Sequence, residues 1–276
     1  MRRRPCFRTW PFLIFIAIQN GHVITPVHKK DKNSMKEEKE EKEMTKLFVF
    51  DFDGTVVNSW PFFVTMVQEY SAEFNLPKPC LETLRVGYGH PEDYEFWPGL
   101  PQDQQVYHLF ECFKWMDDYN NPHRPNSYPE MFDNVVETFE RIKSHGHRLA
   151  IVTAKPFDPL KQILDHHDIG SYFCGIRTHD DVAKRGEKLK PHPDQLISVI
   201  NELGFTPEDT VVIGDTDMDV KMARAAGAKA IGVTWGNHCE VRLGDAGAHK
   251  ILGEDFADIV DAAHLLFELS VVAETA

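Results

Sequence analysis

Crosslinking chemistry is scarce in this sequence. Its five cysteines, Cys6, Cys80, Cys112, Cys174 and Cys239, are far apart and form no C-x-x-C pair. That excludes a cysteine-spaced zinc site, gives no support to a disulfide framework and favours a reducing compartment. No Asn-x-Ser/Thr sequon occurs, in keeping with that compartment. Positive charge is also short: residues 1–43 carry ten Lys/Arg against six Asp/Glu, which leaves 20 against 37 in the remainder. An acidic body without a basic, aromatic-interleaved cluster repels polyanions, so nucleic acid is not the expected partner. Long apolar runs are missing too. Phe12–Ile18 stops at Gln19, Asn20, Gly21 and His22, whereas a bilayer span needs about 20 apolar residues.

The segment 1–43 stands apart from the rest. Arg2, Arg3 and Arg4 before the apolar run resemble a secretory signal, and the absence of any acid before Asp31 fits a transit peptide. The Lys/Glu stretch from Lys36 to Glu43 reads as solvated or disordered chain ahead of a start at Met35 or Met44. All three readings stay open. A cytoplasmic location is expected, with an organelle or secretion as the alternative should residues 1–30 be a targeting peptide.

What is present is an alternation. Leu47–Phe50, Leu149–Val152, Thr210–Ile213 and Ala230–Val233 are short continuous apolar runs, the mark of strands covered on both faces. Helical periodicity lies between them: Pro129 opens a helix with Val135, Val136, Phe139 and Ile142 inside, 194–203 repeats the design, Asp217 opens a third and 256–269 forms the last. The expectation is an α/β fold with a doubly wound parallel sheet. Between Trp60 and Tyr128 the alternation fails. Two helical stripes, Phe63, Val67, Tyr70, Phe74 and Val106, Phe110, Phe113, Met116, imply a helical insertion, and such stripes are far more often core than a cofactor box. The expected division is therefore an extension at 1–43, a core at 44–59 and 129–276, and a cap at 60–128.

Polar residues ending the apolar runs are where chemistry collects in an open parallel sheet. Here they are Asp51 and Asp53, Thr153, and Asp215 with Asp219. Carboxylates gathered in one crevice need a cation, and oxygen ligands without His or Cys select a hard one, Mg²⁺, which keeps sites open for water and phosphate. With these residues in view, Asp51-Phe52-Asp53-Gly54-Thr55 resembles the first motif of the haloacid dehalogenase superfamily of phosphohydrolases. Val152-Thr153-Ala154-Lys155 is similar to the second, Lys190-Pro191-His192-Pro193-Asp194 to the third, and Gly214-Asp215-Thr216-Asp217-Met218-Asp219 to the fourth.

That resemblance implies a Rossmann-like core with an inserted helical cap. It makes Asp51 the nucleophile, Asp53 the acid and base, and Thr153 and Lys190 the holders of the substrate phosphoryl group. Mg²⁺ would be held by Asp51, Asp53 through its backbone carbonyl, and Asp215, with Asp219 binding through water or orienting Lys190. Asp217 is an alternative to Asp219 or a helix cap, and Lys155 reads as a structural or rim charge. The downstream Ala225-Ala226-Gly227-Ala228 and Val233-Thr234-Trp235-Gly236 look like the phosphoglycolate phosphatase branch, where Asn58 replaces the commoner Asp.

In the cap, Arg85 and His90 flank a glycine-rich loop and are candidates for reading a substrate carboxylate. The expected partner is a small phosphorylated metabolite, with neither nucleic acid nor a membrane, for a monomer or homodimer. The expected activity is hydrolysis of 2-phosphoglycolate. Other readings are hydrolysis of nucleotides or pyrophosphate, phosphoryl transfer as in a sugar-phosphate mutase, and a non-catalytic binding protein that kept the fold.

Overall fold

The computed structural model describes residues 17–19, 22–24 and 45–274, apart from 89, 91–92 and 118–127. The chain divides into Met1–Met44 and Thr45–Ala276. In the first unit β1 (Ala17–Gln19) pairs antiparallel with β2 (His22–Ile24); beyond this pair, the targeting and extension readings lie outside the described residues.

In the second unit β3 (Leu47–Phe50) is the central strand, and its four residues are fully buried. Alternation of side chains sends Phe48 and Phe50 to one face and Leu47 and Val49 to the other. β6 (Arg148–Val152), β8 (Thr210–Gly214) and β9 (Lys229–Val233) behave in the same way, as the continuous apolar runs require. Two strands without such runs complete the sheet, β7 (Phe173–Arg177) and β10 (Lys250–Leu252). All six are parallel, in the order β10-β9-β8-β3-β6-β7.

Helices cover both faces. α4 (Val135–Ser144), α5 (Phe157–His166) and α10 (Asp258–Glu274) pack through Phe139, Leu160 and Ile259 on the face of Phe48. α7 (Asp194–Leu203), α8 (Asp217–Ala226) and α9 (Glu240–Asp245) pack through Leu196, Val220 and Leu243 on the other; α6 (His179–Arg185) follows β7. From β3 the chain winds outward to β6 and β7, then crosses back to β8 on the opposite side. Neighbouring β3 and β8 thus diverge in connection at their carboxyl ends, which is where such sheets open a crevice.

The helix expected to open at Pro129 starts later. Pro129 leads into β5 (Glu130–Met131), which pairs antiparallel with β4 (Val57–Asn58), and left-handed Asn134 at φ 62° turns the chain into α4.

Between β4 and β5 lie α1 (Trp60–Glu73), α2 (Leu81–Val86) and α3 (Gln102–Asp117). Residues 118–127 of the expected cap are outside the described residues. These helices bury Phe63, Val67, Tyr70, Leu84, Phe96 and Trp97 in a cluster of their own. The apolar face of α3 differs from the expected one: Gln105, Leu109 and Cys112 are buried, while Phe110 is 54% exposed. The cause is the Gln105 amide. Its Oε1 accepts from the backbone N–H of Phe96 (3.0 Å) and Trp97 (2.8 Å), and its Nε2 donates to the carbonyls of Trp97 (2.7 Å) and Leu100 (3.1 Å). One buried side chain thus answers four backbone groups. Among the described residues no helix is long and apolar enough to cross a membrane.

Candidate active site

Asp51 follows β3, Thr153 follows β6 and Asp215 follows β8, so adjacent strand ends deliver all three to one crevice. After Asp51 the chain turns tightly: the Phe52 carbonyl accepts from the N–H groups of Val56 (2.9 Å) and Val57 (3.1 Å). Gly54, at φ +80°, makes the turn and leaves room for its neighbours, since a Cβ there would lie 2.3 Å from Asp215 Oδ2. Gly236 approaches the same oxygen equally closely.

Asp51, Asp215 and Asp219 are buried, and each offers an oxygen within 4.8 Å of the others. Three oxygen donors so close, with neither His nor Cys among them, form a set that fits a hard divalent cation. Lys190 Nζ lies 2.5 Å from Asp51 Oδ1 and 2.6 Å from Asp219 Oδ1. The other Asp219 oxygen caps α8 by accepting from Thr216 Oγ1 (2.6 Å) and Thr216 N (3.2 Å). Asp219 thus meets Lys190 with one oxygen while the other is engaged at the start of its own helix. Asp215 is fixed by Asn237, whose backbone N (2.8 Å) and Nδ2 (2.9 Å) both donate to Oδ2, and Thr55 Oγ1 reaches its Oδ1 at 3.3 Å.

The charges shape one another. Burial, with help from Asp219 and Asp53, pushes the Asp51 carboxyl up to about 7 against the pull of Lys190. Burial first, then Asp51 and Asp219, puts Asp215 well above the usual carboxylate range. Burial would lower the Lys190 ammonium, but Asp219 and Asp51 outweigh it and hold it above its ordinary value. A site with more negative charge than it can comfortably ionise is one that a cation would stabilise.

The remaining candidates take distinct places. Thr153 is buried, and its Oγ1 accepts from Lys155 N at 3.1 Å, leaving the hydroxyl proton as a donor. Asp53 lies outside the carboxylate trio. Lys155 Nζ grips both its oxygens, at 3.1 and 3.0 Å, so this lysine is a partner of the second aspartate rather than a rim charge. Arg85 Nη2 donates to the Gly236 carbonyl at 2.6 Å and lies over the Trp60 ring. His90 Nε2 lies 2.9 and 3.0 Å from the two oxygens of Asp217. Asp217 joins the trio no more than Asp53 does. Its contacts run to His90, to Lys221 Nζ (2.7 Å) and to the His238 ring, and Lys221 and His90 hold its carboxyl down to about 2 although burial opposes them.

Sequence reasoning missed Asn237 and His238, because a loop Asn and a loop His carry no pattern. The segment after Val233-Thr234-Trp235-Gly236 was the available signal, since a glycine pressed against a buried carboxylate leaves its successors to supply donors.

Comparison with known proteins agrees with this geometry. Residues 48–233 match the family described as haloacid dehalogenase-like hydrolase. Over 230 residues the chain is 31% identical to a protein of Dickeya dadantii named "Probable phosphatase IndB", an overlap of 82% of this chain and 97% of that one. It is 31% identical over 225 residues to a phosphoglycolate phosphatase of Mannheimia succiniciproducens, covering 78% of this chain and 96% of the relative. Among solved structures, a haloacid dehalogenase-like family hydrolase of Streptococcus pneumoniae superposes with a TM-score of 0.62 at 21% identity, over 80% of this chain and 99% of the other, a likeness of fold.

Proposed function

The chain belongs to the haloacid dehalogenase-like hydrolase family, and from that premise we propose that it is a Mg²⁺-dependent phosphatase of small phosphate monoesters, 2-phosphoglycolate foremost. The observation that carries this reading is the buried trio Asp51, Asp215 and Asp219, with Lys190 bridging Asp51 and Asp219. The ion supplies positive charge against which a phosphoryl group can lie beside carboxylates. Asp51 Oδ then attacks phosphorus in line, the bond from phosphorus to the ester oxygen breaks, and Asp53 gives that oxygen a proton. In the second half Asp53 takes a proton from water as it attacks the aspartyl-phosphate, which releases inorganic phosphate and restores Asp51. Thr153 donates its hydroxyl to the phosphoryl oxygens, Lys190 neutralises them, and Lys155 keeps the Asp53 carboxyl aimed.

The deciding measurement is release of inorganic phosphate from a panel of phosphorylated metabolites with Mg²⁺ and again with EDTA. Phosphate in step with consumed ester is expected. Transfer to a sugar acceptor without free phosphate would instead identify a mutase, and no turnover of any ester would remove the reading.

Stability follows the same logic. In the metal-free protein the Asp51 carboxyl titrates at about 7 when folded against 3.8 as its ordinary value. The folded state therefore binds more protons in this window. The contribution of Asp51 is fully present below about pH 4 and is lost as pH rises through about 7. A divalent ion offsets that loss, so the increase in Tm on adding Mg²⁺ should grow from about pH 5 to about pH 8. Calorimetric scans with Mg²⁺ and with EDTA across that range check it, and an increment independent of pH would contradict the account.

A further inference from the structure

The hydrogen bonds on the Asp215 carboxylate are one-sided. Its Oδ2 accepts from the backbone N of Asn237 at 2.8 Å and from Asn237 Nδ2 at 2.9 Å, whereas its Oδ1 meets the Thr55 hydroxyl at 3.3 Å. A carboxylate oxygen has two lone-pair sites, and two donors fill both. The backbone presses on the same oxygen from two sides, since a Cβ on Gly54 or on Gly236 would lie 2.3 Å from it. Oδ2 therefore has neither an electron pair nor room to give to an ion. Asp215 can ligate through Oδ1 alone.

The donors themselves are held from the core and from the cap. His238 N donates to the Asp215 carbonyl at 3.2 Å, and the His238 ring joins Asp217 N (3.0 Å) to the Tyr88 carbonyl (3.2 Å). On the other side Arg85 Nη2 donates to the Gly236 carbonyl at 2.6 Å. Both neighbours of Asn237 are thus tied down, which preorganises its amide against Asp215. Thr55 Oγ1, 3.5 Å from Asp51 Oδ2 and 3.3 Å from Asp215 Oδ1, marks the two oxygens left to an ion.

The kind of ion enters here. Mg²⁺ takes one or two carboxylates and keeps water in its remaining octahedral positions, whereas Ca²⁺ gathers about 6–8 oxygens and often takes both from one carboxylate. A one-oxygen Asp215 suits the first and leaves the second short of ligands. We propose that Asn237 is a specificity-determining residue for the metal: by occupying Asp215 Oδ2 it restricts this carboxylate to one ligating oxygen and so favours Mg²⁺ over Ca²⁺. The proposal rests on the metal dependence stated above and adds which residue chooses the ion.

The test is titration calorimetry of the full chain with MgCl₂ and with CaCl₂, which reads affinity without turnover. Wild type should bind Mg²⁺ more tightly than Ca²⁺. Asn237→Ala removes the Nδ2 donor, frees a lone pair on Oδ2 and opens space beside it, so the affinity for Ca²⁺ relative to Mg²⁺ should rise about tenfold. An unaltered ratio, including equal weakening of both ions, would overturn the proposal.

Terbium(III), a luminescent ion close to Ca²⁺ in size, gives a second reading. Its lifetimes in H₂O and D₂O count the waters on the bound ion, and Asn237→Ala should carry about one water fewer than wild type as Oδ2 takes its place. Equal counts would also overturn the proposal. Should the variant fail to fold, the wild type decides alone: Ca²⁺ bound as tightly as Mg²⁺ overturns the assignment to Asn237 and leaves the metal dependence standing, whereas a wild type that binds neither ion removes both.

Discussion

Asp51→Asn will reduce phosphate release by at least about a thousandfold while leaving the fold intact. An amide has no free carboxylate oxygen with which to attack phosphorus, and no other carboxyl group can stand in for it. Asp53 is clasped by Lys155, Asp215 by Asn237, and Asp219 by Lys190 and the first turn of α8. Stability should not fall in step. Asp51 carries a charge that burial opposes, and an isosteric amide removes the charge while Lys190 keeps Asp219 as a partner. In metal-free buffer at pH 7 the Tm of this variant should therefore equal or exceed that of the wild type. A residual rate of several per cent, with the Tm preserved, would show that the nucleophile is elsewhere.

Lys190→Met is expected to damage both properties. Its ammonium bridges two buried carboxylates, and its side chain is only 8% exposed. Without it, Asp51, Asp215 and Asp219 face one another with no cation among them, and breaking a buried pair by deleting one partner costs about 3–5 kcal/mol. Turnover should fall by about a hundredfold to about a thousandfold, the cost of removing one preorganised charge from a developing anion. Added Mg²⁺ should raise the Tm of the variant by more than that of the wild type, because the ion takes over neutralisation that Lys190 shares. Equal increments would mean that the trio does not bind the ion.

Much of this was legible in the chain before its fold was known. A strand covered on both faces must be apolar throughout, so β3, β6, β8 and β9 stood out, and the polar residues at the ends of the first three, Asp51, Thr153 and Asp215, pointed to the crevice. The edge strands were not legible. β7 has one neighbour and contains Gly175, where a Cβ would meet Val199, and β10 is three residues long beginning with an exposed lysine. The seam of α3 was misjudged because Gln105, polar by composition, is buried by four hydrogen bonds that no periodicity records. Lys155 and Asp217 were seen in the chain, but the pairing of Lys155 with Asp53 and of Asp217 with His90 spans more than a hundred residues in each case, which no local pattern records.

The pairing of β4 with β5 has a further consequence. The segment that supplies Arg85 and His90 leaves the sheet at Asn58 and returns at Glu130, and these two residues sit opposite each other on adjacent strands. Strands so paired are about 5 Å apart, so the insert begins and ends at nearly one point and its length imposes no strain on the register of the main sheet. Evolution could thus exchange one insert for another, or lengthen it, while the hydrolytic apparatus underneath stayed as it was. New substrates would be acquired by grafting at a single doorway, without redesign of the chemistry behind it.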